Sequence, residues 1–298
     1  MDEVECQVIM TDRERKYRSL AADTFSRFRR NKLAVVGAIV ITFLVFIAIF
    51  APLLTDHNPR KTHIRESMER PSSRHIMGTD ETGRDVFSRT IYGARISLSV
   101  GIGGILLALI IGLTLGALSG YYGGWIDTLI MRFTDIVLAF PAALLAIAVA
   151  AVFERRSIFT LFLILGFIGW ASIARIVRAK VISLKSSEFA DAARALGARD
   201  FRIIFRHILP NSFAAIMVAA TIGIAGNILT EAWLSFLGLG LDPSVPSWGT
   251  MIHDALGQTD RYWLYLFPGL AIMIAVLGFN LLGDGLRDVL DPRLKGTS

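Results

Sequence analysis

Six apolar runs dominate this chain of 298 residues, and as helices they are long enough to cross a bilayer's hydrocarbon core, which takes about 20 residues. They begin near Leu33, Ile96, Ile136, Ile158, Ser212 and Tyr262, and end near Thr55, Gly120, Phe153, Ala174, Leu237 and Gly283. Lipid offers a backbone amide no partner, so the runs must be helices, with local bends predicted at Pro141 and Pro268. The fold class is therefore all-α integral membrane with six transmembrane helices. A hydrophobic content of 53%, only 19% charged residues and a mean hydropathy of +0.55 argue against an ordinary soluble domain.

A net charge of +6 would suit a nucleic-acid ligand if it formed a patch, but the basic residues lie in blocks beside the spans, where they orient helices instead. No nucleic acid is expected; the lipid bilayer is. One block precedes Lys32 (Arg13, Arg15, Lys16, Arg18, Arg27, Arg29, Arg30) and another follows the fourth run (Arg175, Arg178, Lys180, Lys185, Arg194, Arg199, Arg202, Arg206). Both belong in the cytoplasm. An even number of crossings places the tail with Arg287, Arg293 and Lys295 there too. The expected layout is a cytoplasmic tail 1–32, an extra transmembrane helix 33–55, an extracytoplasmic loop 56–94, a core 95–284 and a cytoplasmic tail 285–298. Arginines in the outer loop are largely balanced by Asp56, Glu66, Glu69, Asp80, Glu81 and Asp85. The first run is about 23 uncharged residues long and lacks a cleavage motif at Ala51 and Pro52, so a retained helix is expected over a secretory signal. Met10 is an alternative start. Cys6 is the single cysteine, so the chain can form no internal disulfide.

Gly104, Ala108, Gly112, Gly116, Gly120 and Gly124 recur at every fourth position. Such a stripe lets a second helix approach backbone to backbone, and packing within this chain is expected ahead of a contact between subunits. Residues 188–210 form a charged, two-part amphipathic hairpin. Phe189, Ala193 and Leu196 share a face of its first helix, and Phe201, Ile204, Phe205 and Ile208 one of its second. Gly197 suits the left-handed end of the first helix, Asp200 a cap for the second, and Pro210 a helix start. Arg199, Arg202 and Arg206 make a cationic edge. On these residues alone, the hairpin either docks into a partner groove with acidic rims or lies on the membrane with its arginines on headgroup phosphates.

The pattern Asp191, Ala192, Ala193, then Gly197, then Leu209, Pro210 resembles the EAA loop of binding-protein-dependent ABC importer permeases. Asp191 replaces the usual glutamate, and His207 stands where isoleucine is general. Four further phrases resemble the peptide branch of that family, the second permease of dipeptide and oligopeptide importers: GTDETGRDVFSRTIYGARISL from Gly78, GYYGGWIDTLIMRFTDIVLAFP from Gly120, EAWLSFLGLGLDPSVPSWGTMI from Glu231 and FNLLGDGLRDVLDPRL from Phe279. The resemblance implies the type I importer (MetI-like) transmembrane fold, alternating access, and a chain that is not itself an enzyme. It implies as partners a homologous second permease, two ATP-binding subunits and an extracytoplasmic substrate-binding protein. ATP and Mg would sit on the partner subunits, with no cofactor in this chain. Glu188, Asp191, Ala192, Ala193, Gly197, Arg199, Arg202, Arg206 and Pro210 would then couple to the ATPase. The implied cargo is di- or oligopeptides; nickel chelates, glutathione and other small solutes use related permeases.

Glu231 lies late in the fifth run, where an ionised acid costs about 2.5 to 3.5 kcal/mol on insertion scales. With Asn227 one turn earlier it either lines the translocation route or makes an interhelical hydrogen bond. Asp135 and Arg132 are expected to pair at the inner surface. Asp80, Arg84 and Asp85, with Asp242 and Trp248, are candidate contacts for the binding protein, or else belong to solvated structural loops; Trp248 is also a candidate interfacial anchor. No phosphate loop, HExxH, CxxC or GxSxG occurs. No metal site is expected, and His57, His63 and His75 are predicted to be solvated. A secondary transporter would need several embedded ionisable groups and inverted repeats, and a scaffold would not need the hairpin.

Overall fold

The computed structural model describes residues 26–153 and 156–290; the two candidate starts, Cys6, Arg13, Arg15, Lys16, Arg18, Arg293 and Lys295 lie outside them. The helices are α1 (Lys32–Leu54), α2 (Val86–Tyr122), α3 (Gly124–Ala139), α4 (Ala142–Val152), α5 (Ile158–Leu184), α6 (Glu188–Ala195), α7 (Asp200–Ile203), α8 (Leu209–Phe236), α9 (Trp248–Asp254) and α10 (Trp263–Leu290), and a π-helical turn, Ile204–Ile208, joins α7 to α8. No strand occurs among the described residues, where the one β-bridge pairs Thr79 with Asp85. Five of the helices are long and apolar enough to span a membrane, and α3 with α4 would make a sixth if that bent pair is one span.

The third run departs most from expectation. A single span with a local bend was predicted from Ile136; instead α3 begins at Gly124 and meets α4 at 94°. The break falls at Phe140 and Pro141, where the ring removes a donor and drives the preceding residue out of helical geometry, to a ψ of 137° at Phe140. Pro268 sits inside α10, which continues through it. The second helix begins at Val86, before the apolar run near Ile96. Its first turns are buried under the loop that precedes it, with Ser88 and Arg89 at 0% and 1% exposure. Asp85 caps it by accepting the Ser88 amide at 2.7 Å. Likewise α5 runs on to Leu184, past the last apolar stretch.

α2 and α5 form the most extensive helix pair, in contact through the small-residue stripe. A Cβ on Gly112 would lie 2.7 Å from Ile173 Cβ, on Gly116 2.5 Å from the Ala174 carbonyl oxygen, and on Gly120 2.8 Å from the Arg178 carbonyl oxygen. The stripe is thus filled from within the chain. Gly124 has left the contact, with nothing within 4 Å of a Cβ and a φ of +55°. Arg178 of α5 closes the pair beside the C-terminal end of α2, gripping Asp127 of α3 with Nε at 2.5 Å and Nη2 at 2.6 Å. Asp135 pairs with Arg175 of α5 at 2.8 Å, not with Arg132 as the sequence suggested; a helix neighbour across the fold outreached the local one. α1 lies against α10, and the Asn31 side chain both caps α1 and donates to Asp288 at 3.1 Å.

Because the neighbour of Gly116 is backbone, it cannot swing away. Gly116→Val should cost at least about 1–3 kcal/mol, the usual range for overpacking. Gly226→Ala, where nothing lies within 4 Å of the added Cβ, should be neutral or slightly stabilising. Melting temperatures of the two purified variants measure the contrast, and equal values would refute it.

Candidate functional site

The hairpin following α5 is built against the core. Ala190, Ile203 and Ile208 are fully buried, and Ala193 and Ile204 nearly so, in one cluster with Val177, Val181 and Ile216. Glu188 and Asp191 occupy the first turn of α6, where negative charge suits the helix dipole. Asp191 pairs with Arg194 at 2.5 Å, and Arg194 also donates to the Lys185 carbonyl at 2.6 Å. Gly197, at a φ of +77°, ends α6 as expected. The Ala198 amide reaches back to the Ala193 carbonyl at 3.0 Å and the Gly197 amide to that of Arg194 at 2.9 Å, which closes the helix end in a Schellman pattern.

One detail of the expected hairpin is corrected. Arg199, not Asp200, holds the N-cap position of α7, without a side-chain cap; Asp200 instead accepts the Tyr121 hydroxyl at 2.7 Å, which braces the hairpin against the C-terminal end of α2. Pro210 lies in the first turn of α8, the helix start expected of it. The chain widens into the π turn just before it, a local adjustment to the amide that proline lacks. Asn211 and Ser212 side chains then satisfy the carbonyls of His207 and Ile208 at 2.6 and 3.0 Å.

The apolar residues of the hairpin also divide differently than predicted. Ala193, Ile204 and Ile208 point inward, whereas Phe189, Leu196, Phe201 and Phe205 are exposed, Leu196 to 88% and Phe201 to 70%. The rings of Phe201 and Phe205 lie 4.4 Å apart between centroids. Arg199, Arg202 and Arg206 beside them are exposed and form no ion pair among the described residues. Ala192 and Pro210 are exposed as well. An uncovered apolar patch with a cationic border is thus held on a rigid support.

On the opposite side of the molecule, the candidate contacts are mostly internal. Asp80 is buried among the Thr82 amide at 2.9 Å, its hydroxyl at 2.8 Å, the Arg84 Nε at 2.7 Å, and Arg89. Burial pushes its carboxyl up, but Arg89 and Arg84 outweigh this and hold it below the usual carboxylate range. Arg84 and Arg89 both also bind Asp254 at the end of α9, at 2.9 and 3.0 Å. Asp85 is buried between the start of α2 and the His75 ring at 2.9 Å, so His75 is not the solvated residue predicted. Trp248 is no interfacial anchor: it is 1% exposed, and its Nε1 donates to the Thr90 carbonyl at 3.0 Å. Asp242 alone of these candidates is openly exposed. Among the described residues no cluster could hold a metal ion.

Within the bundle, Asn227 donates to the Gly101 carbonyl at 3.1 Å. Glu231 is fully buried and accepts the hydroxyls of Ser97, Ser235 and Ser247 at 3.0, 2.9 and 2.8 Å. Both residues bind across helices in this structure, and Glu231 reaches no opening.

Residues 112–296 match the family described as binding-protein-dependent transport system inner membrane component, and residues 19–71 match the N-terminal TM domain of oligopeptide transport permease C. The chain belongs to this permease family. It is 49% identical to the dipeptide transport system permease protein DppC of Alkalihalophilus pseudofirmus over 92% of this chain and 90% of that protein. It is 43% identical to the oligopeptide transport system permease protein OppC of Bacillus subtilis, over 94% and 92% of the two chains. It is also 42% identical to the glutathione transport system permease protein GsiD of Pectobacterium atrosepticum, over 95% and 94%. The chain is a multi-pass membrane permease, and the hairpin and the charged loop cap at the opposite end are the parts of this permease whose chemistry is not explained by spanning lipid.

The Asp80 network sets a pH dependence for this loop cap. A carboxylate whose folded pKa lies below its unfolded value stabilises fully above about pH 4, and loses that contribution as pH falls through the depressed value. Wild-type melting temperature should therefore drop steeply below about pH 4. Asp80→Asn should melt lower at neutral pH and show a shallower acid slope; parallel pH profiles for the two proteins would refute this.

Proposed function

We propose that this permease is half of the translocation pathway of an ATP-driven importer for di- or oligopeptides, working by alternating access. The observation that carries the reading is the exposed apolar and cationic hairpin surface. Phe189, Leu196, Phe201 and Phe205 with Arg199, Arg202 and Arg206 form a projecting knob whose base is locked into the bundle. A water-exposed aromatic patch of this kind suits burial against a protein groove. In this reading two ATP-binding subunits receive the hairpin, a homologous second permease completes the pathway, and a substrate-binding protein delivers cargo from outside. ATP and Mg belong to the ATPase subunits, so hydrolysis is not a property of this chain.

Arginine placement supports an orientation in the cytoplasmic membrane with the hairpin and both termini inside. The peptide cargo is inferred from the names borne by the dipeptide and oligopeptide relatives. The glutathione permease relative keeps that small peptide as the second cargo. A membrane-surface role for the hairpin is disfavoured because its inward face packs on protein, with Ile203 and Ile208 fully buried.

Gly197→Pro, which cannot adopt the left-handed backbone, and Ala193→Arg, which forces a charge under the hairpin, should uncouple hydrolysis from uptake. Gly197→Asn, which tolerates that backbone, should stay close to wild type. ATP-dependent peptide uptake into proteoliposomes and co-purification of the ATPase are the readouts. Normal behaviour of both disruptive variants would defeat the coupling role.

A further inference from the structure

The outer end of α8 is tied to the rest of the molecule by Glu231, a carboxylate with no ion pair among the described residues. A bare acid at this depth is costly, and such groups are kept for function more often than for stability. Its three hydroxyl partners come from three places: Ser97 on α2, Ser235 on α8 itself, and Ser247, the N-cap of α9. The Ser247 oxygen accepts the Thr250 amide at 3.2 Å while it donates to Glu231 at 2.8 Å, so the start of α9 and the body of α8 share one atom. The backbones are in contact beside it: a Cβ on Gly249 would lie 2.6 Å from Ala232 Cα. At its far end α9 is held again, by Asp254 against Arg84 and Arg89, which also bind Asp80.

The inner end of the same helix lies in the hairpin. From Asp200 to Phe236 the chain forms 37 helical residues through the π turn, a rod of about 55 Å. One end carries the exposed aromatic patch and the other carries Glu231.

We propose that Glu231 is the positioning residue that makes α9 and the charged outer cap move with α8, so that displacement of the hairpin is delivered to the face where a substrate-delivering protein docks. The proposal rests on the reading of the hairpin as the ATPase dock, and it adds the outer half of the transmission. The joint is specified by hydrogen-bond chemistry. Ser235 and Ser247 both donate to Oε1, and Ser97 donates to Oε2. In E231Q the amide oxygen keeps the first two hydroxyls and the amide nitrogen donates to the third, so the joint survives. S247D keeps a capping oxygen for α9 but sets a second carboxylate against the first. In the double variant the amide turns over, so that its nitrogen donates to the carboxylate at position 247 and its oxygen accepts the Ser97 hydroxyl, and the repulsion becomes a hydrogen bond.

The test uses the full transporter in nanodiscs, with second permease, ATPases and binding protein, and reads the ratio of ATP hydrolysis with peptide-loaded binding protein to hydrolysis without it. E231Q should keep the wild-type ratio, and S247D should lower it about fivefold or more, the smaller end of coupling between distant sites. The double variant should recover it. A capping role alone predicts no effect of S247D, since aspartate caps as well as serine. The proposal is overturned if S247D keeps the ratio, or if E231Q fails to restore it. Where S247D does not assemble, E231A decides: spin labels on cysteines at positions 213 and 256, in a C6S background, should broaden from one distance in the parent to several. An unchanged single distance overturns the proposal. If the wild-type chain retains no ATPase, the importer reading falls first and this inference with it.

Discussion

Lipid removes the hydrophobic drive that holds helices together in water, so this bundle depends on how closely two backbones can approach. The glycine face of α2 supplies that approach. Along it α5 sits near enough that the carbonyls of Ala174 and Arg178 occupy the space a side chain would need. Once α5 is fixed there, its continuation past Ala174 projects Arg178 onto Asp127 and delivers α6 at a set angle beneath the bundle. The hairpin inherits its position from a packing contact several turns away. A looser α2–α5 pair would leave Ala190 and Ala193 without the Val177 and Val181 surface on which they rest.

Charge is handled oppositely at the two ends of the molecule. At one end Asp80 and Asp85 are buried and Asp254 is half-buried, and each is matched to an arginine, a histidine or a helix start. That network holds a loop with little apolar content onto the helix ends, and breaking one partner would leave a buried charge uncompensated. At the other end Arg199, Arg202 and Arg206 stay exposed beside exposed aromatics. An isolated chain gains nothing from that arrangement, whereas a complex with an acidic-rimmed groove does.

The membrane class, four of the span positions and the internal use of the stripe were legible because apolar length and small-residue spacing are local signals. The left-handed end at Gly197 was legible for the same reason. What escaped was set across the fold. The early start of α2 is polar and buried under residues far away in sequence, so hydropathy could not show it. Phe189, Phe201 and Ile204 look alike in a helical pattern, and only the position of α5 decides that Ile204 goes in and the phenylalanines out. Trp248 reads as an anchor until α2 is seen to carry the Thr90 carbonyl that receives its indole. Arg89 and Asp254 carried no sequence signal as a pair, being 165 residues apart. Glu231 stood out at once, but its three serine donors lie on separate segments and were invisible as a group.

The π turn at Ile204–Ile208 shows how a local defect can serve a long-range purpose. A proline at position 210 would ordinarily end the hairpin's second helix and begin a separate span, leaving a joint that could flex. Widening by one residue lets the helix pass the proline, and the side chains of Asn211 and Ser212 take up carbonyls at the defect. The result is continuity between the exposed aromatic patch and a buried acid at the far end of the same rod. An interrupted helix would dissipate displacement at the proline. A strictly α-helical one would set the proline ring against the Arg206 carbonyl, so the π geometry is the form in which this sequence can keep both its proline and a continuous helix.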